Sequence, residues 1–228
     1  MHVAAAEGAP EGTVHLARSQ TQGRGRSGHS WWSPTNSGVW MTVLLRPTLD
    51  AGVAAGLALL AGKAARSALE PLVRGPLALY WPNDLYVGRR KLGGILCEMR
   101  GPPESYWVAV GMGINLEIDL NLAPPEIRDS VIDLVTLGCE ERDPLALARR
   151  IVDALFDEYH RLQSGQPLSS LVTGDLAHVG CPVTVRREGQ TDLDGTAIGL
   201  GDLGELLVRD QHDQIHAILS GDVEYHDP

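Results

Sequence analysis

Apolar residues recur along this chain in short dense runs broken by glycine, proline and asparagine, and the spacing inside each run predicts its element. Val14–Ala17 predicts a short strand, and Val39–Leu45, reading VWMTVLL, a stronger one built from β-branched and large apolar residues. Thr48 is placed to cap a helix running to about Leu69, because Val53, Leu57, Leu60 and Ala64 fall on one helical face. Leu77–Trp81 predicts a buried strand that stops at Pro82. Asn83 and Asp84 then turn the chain, and Leu85–Val87 and Leu92–Met99 form the arms of a hairpin around Gly88-Arg89-Arg90. Tyr106–Val110 continues as a strand into the run GMGIN, Gly111–Asn115. Pro124-Pro125 opens a short helix. Asp143-Pro144, an acidic cap before a first-turn proline, starts an amphipathic helix to about Leu162.

After Gln163 the pattern changes to short strand-like pieces, Val183–Val185, Thr196–Leu200, Glu205–Val208 and His216–Leu219, separated by glycine or aspartate turns. That spacing predicts a small antiparallel barrel. The composition shifts with it: residues 171–228 hold three arginines against eleven acidic residues, most of the chain's charge of −10. The expected organisation is therefore an α/β (α+β) main domain, 1–172, in which helices pack on a sheet, followed by a small β-barrel domain, 176–228.

The overall charge opposes general affinity for DNA or an anionic membrane. The longest apolar stretch, Ala51–Leu60, is too short to span a bilayer, and the opening MHVAAAEGAP lacks the pattern of a signal peptide. Cys97, Cys139 and Cys181 are odd in number and far apart, making neither a metal knuckle nor a disulfide framework. A soluble cytoplasmic protein with reduced thiols is the expectation.

Against this acidic background one segment stands apart. No acidic residue occurs from Thr13 to Leu49, while Arg18, Arg24, Arg26 and Arg46 do. Within it Gly23-Arg24-Gly25-Arg26 combines two guanidinium forks with a glycine-rich backbone, a means of wrapping a phosphate. A solvated loop is the plainer alternative. Lys91 is the second candidate. It follows Arg89-Arg90 at the entry to a strand whose Gly93-Gly94 would let a ligand lie close against the backbone, and its ammonium suits a carboxylate or phosphate oxygen. Hairpin solubility would explain the same lysine if it stood alone.

Taken in order, these runs resemble the biotin–protein ligases. Gln20 with Gly23–Arg26 and Trp31; Trp81–Asp84 with Lys91, Gly94, Ile95 and Leu96; Gly111, Gly113, Ile114 and Asn115; and Gly195, Gly199, Gly204 and Leu206 followed by Ser220-Gly221 and Val223 match that family's motifs over nearly the whole chain. The resemblance implies a biotin/lipoate ligase-like mixed sheet with helices and an SH3-like C-terminal barrel. It implies a biotin–[acetyl-CoA-carboxylase] ligase that converts biotin and ATP, with Mg²⁺, to biotinyl-5′-AMP and passes biotin to a lysine of the biotin carboxyl carrier protein; a homodimer is allowed. Lys91, Arg26 and Arg24 would carry the chemistry. Gln20, Gly23, Gly25, Trp31, Gly94, Gly113 and Asn115 would join them in binding biotin and nucleotide: Gln20 for the biotin ring, Trp31 as an apolar lid, Asn115 for the nucleotide end. Asp84 would orient basic groups or a nucleotide-bound Mg²⁺, or serve only the turn.

Three departures stand beside this. The family's Ser-Thr-Asn run before the glycine-arginine loop is absent, so either the chain starts upstream of Met1 or the biotin pocket is more open, and Ser33–Asn36 lies too far downstream to substitute. Tyr80 stands where a lysine is usual before the WPND run, and His29 where an arginine often follows the loop. There is no room before the loop for the winged-helix DNA-binding domain of some members. Two other readings stay open: a catalytically impaired paralogue that binds biotin or the carrier, and a lipoate–protein ligase-type acyl transferase.

Overall fold

A computed structural model describes residues 1–102, 104–187 and 189–226. In chain order the elements are α1 (His2–Ala6), β1 (Val14–Ala17), β2 (Gly38–Leu45), α2 (Ala51–Ala54), α3 (Leu57–Leu69), β3 (Ala78–Tyr80), β4 (Asp84–Val87), β5 (Arg90–Arg100), β6 (Trp107–Asn115), α4 (Pro144–Gln163), α5 (Leu168–Val172), β7 (Pro182–Arg186), β8 (Leu193–Leu200), β9 (Leu206–Arg209), β10 (Ile215–Ile218) and β11 (Asp222–Tyr225). The first six strands form one sheet in the order β1-β2-β6-β5-β4-β3, the last five a second in the order β10-β9-β8-β7-β11. Their ladders are antiparallel. Parallel character is confined to single bridges, Leu79–Leu176 and Lys91–Val131.

The period-two pleat gives the large sheet two unlike faces. On β6, Val108, Val110, Met112 and Ile114 enter the main core with α3 and α4. The intervening Ala109, Gly111 and Gly113 are small, and only at the β1 end is this second face covered, by a minor cluster of Ala5, Leu44, Trp107 and Ala109 that includes α1. Helix α4 follows its expected start: the Asp143 carboxylate accepts from the Leu145 N–H at 2.9 Å. Leu147, Ile151, Leu155 and Leu162 form its buried stripe. A largely buried ion pair, Lys63 Nζ to Glu158 at 2.8 Å, ties α3 to α4.

The expected Thr48–Leu69 helix is two helices, and its cap is Asp50, whose Oδ1 accepts from Gly52 N–H at 2.8 Å. The break falls at Gly56 because the chain is crowded there: a Cβ would lie 2.1 Å from Leu168 Cδ2 and 3.0 Å from the Leu203 carbonyl. Asp84 opens strand β4 and only Asn83 lies in the turn before it. The helix expected after Pro124 does not form. Residues 124–130 make successive tight turns, and the following backbone hydrogen-bonds to strand ends, Lys91 N–H to Ser130 O at 2.7 Å and Ile132 N–H to Lys91 O at 3.0 Å. Those bonds satisfy polar groups that a helix would otherwise have to satisfy internally.

In the second sheet the four expected strands are present with ends shifted by one to three residues, and β11 is a fifth that the alternating acids of Asp222–Tyr225 concealed. β10 and β11 lie at opposite edges of that sheet yet are joined by three residues, 219–221, so the sheet curls into a barrel-like form. Its apolar side, including Val183, Val185, Leu206 and Val208, joins the main core. Trp81 Nε1–H donates to Gly204 O at 2.9 Å across the junction.

Gly204 sits at φ +84, and a Cβ there would meet Leu168 Cδ2 at 2.8 Å and Gly56 Cα at 3.1 Å. Gly204→Ala is expected to lower stability by about 1–3 kcal/mol through strain and overpacking. Urea denaturation checks this; an unchanged midpoint would mean that the junction yields without cost.

Candidate active site

The small residues of the open face make a floor. Ladder pairs Gly94–Gly113, Leu96–Gly111 and Glu98–Ala109 from β5 and β6 stand side by side, flanked by Thr42 of β2 and by Asp84 and Tyr86 of β4. Together with the 20–32 segment they enclose a cavity of about 590 Å³, within the ordinary range for a small-molecule site. Gln20, Arg24, Gly25, Arg26, Trp31, Asp84, Lys91, Gly94, Gly113 and Asn115 all line it. Gly23 does not. A Cβ on Gly23 would lie 2.2 Å from the Trp31 carbonyl, so this glycine lets the loop close on itself beneath the cavity.

The glycine-arginine loop is a small hairpin. Trp31 N–H donates to Gly23 O at 2.9 Å and Gly25 N–H to His29 O at 2.7 Å, and the chain reverses through Ser27 and Gly28, at φ 52 and 79. The Arg24 guanidinium, well exposed, reaches Glu98 Oε2 at 3.1 Å, which also meets His2 Nε2 at 3.0 Å. Arg26 points inward to Asn83 Oδ1 at 3.4 Å, while Asn83 Nδ2 is fixed to the Ile95 carbonyl at 2.6 Å. Gln20 Oε1 accepts from Ser33 Oγ at 2.7 Å. Ser33, although far along the chain, therefore lies beside the loop.

Lys91 Nζ donates to Asp84 Oδ2 at 2.5 Å and lies 5.3 Å from the centre of the Trp31 ring. Gly94 makes room for the pair: a Cβ there would be 2.9 Å from Asp84 Oδ1 and 3.4 Å from Lys91 Cε. Gly93, the other glycine of the run, turns instead to the core, against Ile114 Cδ1. Asp84 Oδ1 and Trp31 Nε1 are both buried without a hydrogen-bond partner among the described residues. Unpartnered polar atoms of this kind cost stability unless a ligand or water meets them. Asn115 is already engaged, Nδ2 donating to Ile132 O at 2.9 Å and Lys91 O at 3.4 Å. It holds the 130–134 segment against the base of Lys91.

Tyr86 faces the same space. Burial first, then the charge of Asp84 and the neighbouring Tyr80, push its phenol up to about 12, so it is a neutral donor at ordinary pH. Burial likewise pushes the Cys97 thiol to about 12, which removes it as a nucleophile. Among the described residues no three His, Cys, Asp or Glu side chains are grouped to hold a metal, and no helix is long and apolar enough to cross a membrane. Asn83, read from sequence only as a turn residue of the Trp81–Asp84 motif, also lines the cavity, as do Glu98, Tyr86, Arg89, His2 and Asp222, to which sequence assigns no site role. Alternation along β4 from Asp84 would have pointed to Tyr86, and along β5 from Gly94 to Glu98; Lys91 is out of phase with Glu98 and reaches the same face only because the ladder shifts register between Leu85 and Tyr86. No local pattern points to Asp222, which arrives from the second sheet.

A cationic loop and a lysine over a glycine floor, with a β-module packed beside them, suit an anionic small molecule. The Biotin/lipoate A/B protein ligase family model matches residues 5–115. Over 226 residues the chain is 31% identical to the bifunctional ligase/repressor BirA of Bacillus subtilis, covering 98% of this chain and 69% of that protein. It is also 31% identical to the biotin–[acetyl-CoA-carboxylase] ligase of Mycobacterium tuberculosis, covering 96% and 81%. The biotin protein ligase of Aquifex aeolicus, solved in complex with biotin and ATP, superposes with a TM-score of 0.78 at 26% identity over 96% of this chain and 90% of that one. The chain belongs to the biotin protein ligases of this family.

Gly113 tests where the Trp31 indole rests, because a Cβ there would be 2.6 Å from Trp31 Nε1. Gly113→Ala is expected to lift the indole off β6 and shift its fluorescence, read as the difference from the same protein carrying Trp31→Phe. An unaltered Trp31 spectrum would mean that the indole does not rest on the strand.

Proposed function

We propose that this protein is a biotin–[acetyl-CoA-carboxylase] ligase, activating biotin with ATP and transferring it to a lysine of a biotin carboxyl carrier protein. The observation that carries this reading is the convergence of Arg24, Arg26 and Lys91 on one cavity whose floor is stripped to glycine. In the first step a biotin carboxylate oxygen attacks the α-phosphorus of ATP, the bond to the pyrophosphate oxygen breaks, and biotinyl-5′-AMP and pyrophosphate result. Both reactants are anions, so the main obstacle is charge. The Lys91 ammonium would bridge carboxylate and α-phosphate, leaving Asp84 for the stronger charge that develops in the transition state. Arg26, turned inward on Asn83, would hold phosphate oxygens; Arg24, outermost, would swing from Glu98 as the loop closes over the adenylate. In the second step the lysine nitrogen attacks the acyl carbon, the carbon–oxygen bond to AMP breaks, and one amine proton is released.

Gln20, which lines the cavity and is held by Ser33 Oγ behind it, is suited to the ureido group of biotin. Trp31, lying on Gly113, would cover the ligand, with its unpartnered indole N–H as a donor to it. Asp84 Oδ1, buried and unpartnered, would hold a divalent ion brought in with the nucleotide, and such an ion would neutralise phosphate charge. The second sheet, taken as a domain over 176–228, would border the site at its mouth.

Incubation with labelled biotin, ATP, Mg²⁺ and a carrier domain tests the activity directly. Transfer of label to the carrier is expected, and no labelling would defeat the reading. Lys91→Ala is expected to slow adenylate formation by ~100-fold or more, the scale of losing one preorganised electrostatic donor. Calorimetric biotin binding should fall far less; near-normal adenylation would move the chemistry elsewhere. Arg26→Gly is expected to speed adenylate release more than it slows synthesis, as read by hydroxylamine trapping. A large synthetic defect without added leakage would instead make Arg26 a residue of the chemical step.

A further inference from the structure

Three carboxylates line the cavity: Asp84, Glu98 and Asp222. Asp84 is paired with Lys91 at 2.5 Å, and Glu98 with Arg24 at 3.1 Å. Asp222 has no ion pair or side-chain hydrogen bond among the described residues. Its ladder partner on β7 is Arg186, yet that guanidinium turns to Glu224 at 2.7 Å and Asp192 at 3.6 Å. Asp222 is exposed, so its carboxylate meets water at the mouth and not at the floor.

The position is held from both sides. β11 pairs with β7 through Asp222–Tyr225, and the preceding Gly221, at φ +154, leaves no room for a Cβ, which would be 2.9 Å from Arg186 O. At its other end Tyr225 donates to the Trp81 carbonyl at 3.3 Å and its ring stacks with His178 at 4.0 Å. Tyr80 meets Tyr225 edge-on at 5.3 Å and stacks on Tyr86 of the cavity wall at 4.4 Å. The residue that departs from the family's usual lysine thus belongs to an aromatic bridge that registers β11 to the cavity.

An unpaired carboxylate at the mouth of a cavity lined with cations works against the binding of anions. Neither biotin nor the phosphates of ATP gains from it. The second step brings a different species: a lysine side chain, protonated at neutral pH because its ordinary pKa is about 10.4. We infer that Asp222 is the contact that receives the ammonium of the acceptor lysine as the carrier docks, the second sheet thereby contributing directly to acceptor recognition. This rests on the ligase reading above and deepens it. The carboxylate concentrates and orients the lysine at the mouth; once the ammonium has passed a proton to solvent water there, the neutral amine would enter the cavity and attack the acyl carbon.

The test separates the two steps in the full chain. Adenylate formation is followed by pyrophosphate release, and transfer by mixing preformed adenylate complex with carrier. For Asp222→Asn, adenylate formation should stay within about twofold of the parent, while kcat/KM for the carrier should fall about fivefold through a raised KM, the upper range for one exposed ion pair. Asp222→Glu should restore most of it. Release of adenylate, read by hydroxylamine trapping, should be unaffected, so that a fall in carrier transfer is not leakage. Unchanged carrier transfer, or adenylation falling in parallel with it, would overturn the assignment. A parent protein that forms no adenylate would defeat the ligase reading itself, a result distinct from failure of the Asp222 variant alone.

Discussion

The site exists because the pleat of β5 and β6 sends large side chains one way and almost nothing the other. Val110, Met112 and Ile114 anchor the helices, and the same strand presents Gly111 and Gly113 to the opposite face. A sheet normally buries both faces or wets one. Here the second face is neither packed nor simply exposed: the glycine-arginine hairpin stands over it and leaves a cavity between. The glycines make the strand backbone itself the wall, and they set the distance at which Trp31 and Lys91 stand. Filling those positions with side chains would occupy the space intended for ligand, whatever happened to the charged groups around it.

That constraint explains why much of the site was legible in sequence and some of it was not. Gly23–Arg26, Lys91 and the GMGIN run are chemically unusual for their surroundings, and the fold brings Arg24, Arg26, Lys91, Gly94, Gly113 and Asn115 to one cavity. Sequence could not tell which glycine of each pair faced the ligand. Gly94 does, while Gly93 packs on Ile114, because a one-residue difference reverses the face. Gly23 is a loop-closing residue for the same kind of reason, being crowded by Trp31. The broken helix at Gly56 was hidden because its cause, Leu168 and Leu203, lies more than a hundred residues away. β11 was hidden because its alternating acids imitate a solvated turn, although its pairing with β7 makes it a strand. Local pattern carries the elements; long-range crowding sets their ends.

The resting ion pairs resolve the apparent conflict between a chain of net charge −10 and a site for anions. Lys91 and Arg24 are each paired, with Asp84 and Glu98, so the cavity does not hold three unscreened cations close together. The Lys91 and Asp84 side chains keep 27% and 22% of their surface, and Arg24 keeps 63%, so these pairs remain in contact with water. Pairs of that kind are typically worth about 0–1 kcal/mol. They are strong enough to point the cations into the cavity and weak enough to yield to a phosphate, which offers more acceptor oxygens and more charge. Burying the same pairs completely would have committed the cations to Asp84 and Glu98, because separating a desolvated pair is far more costly. The partial exposure of Arg24 and Lys91 is thus a requirement of the chemistry: the cations have to be held without being committed.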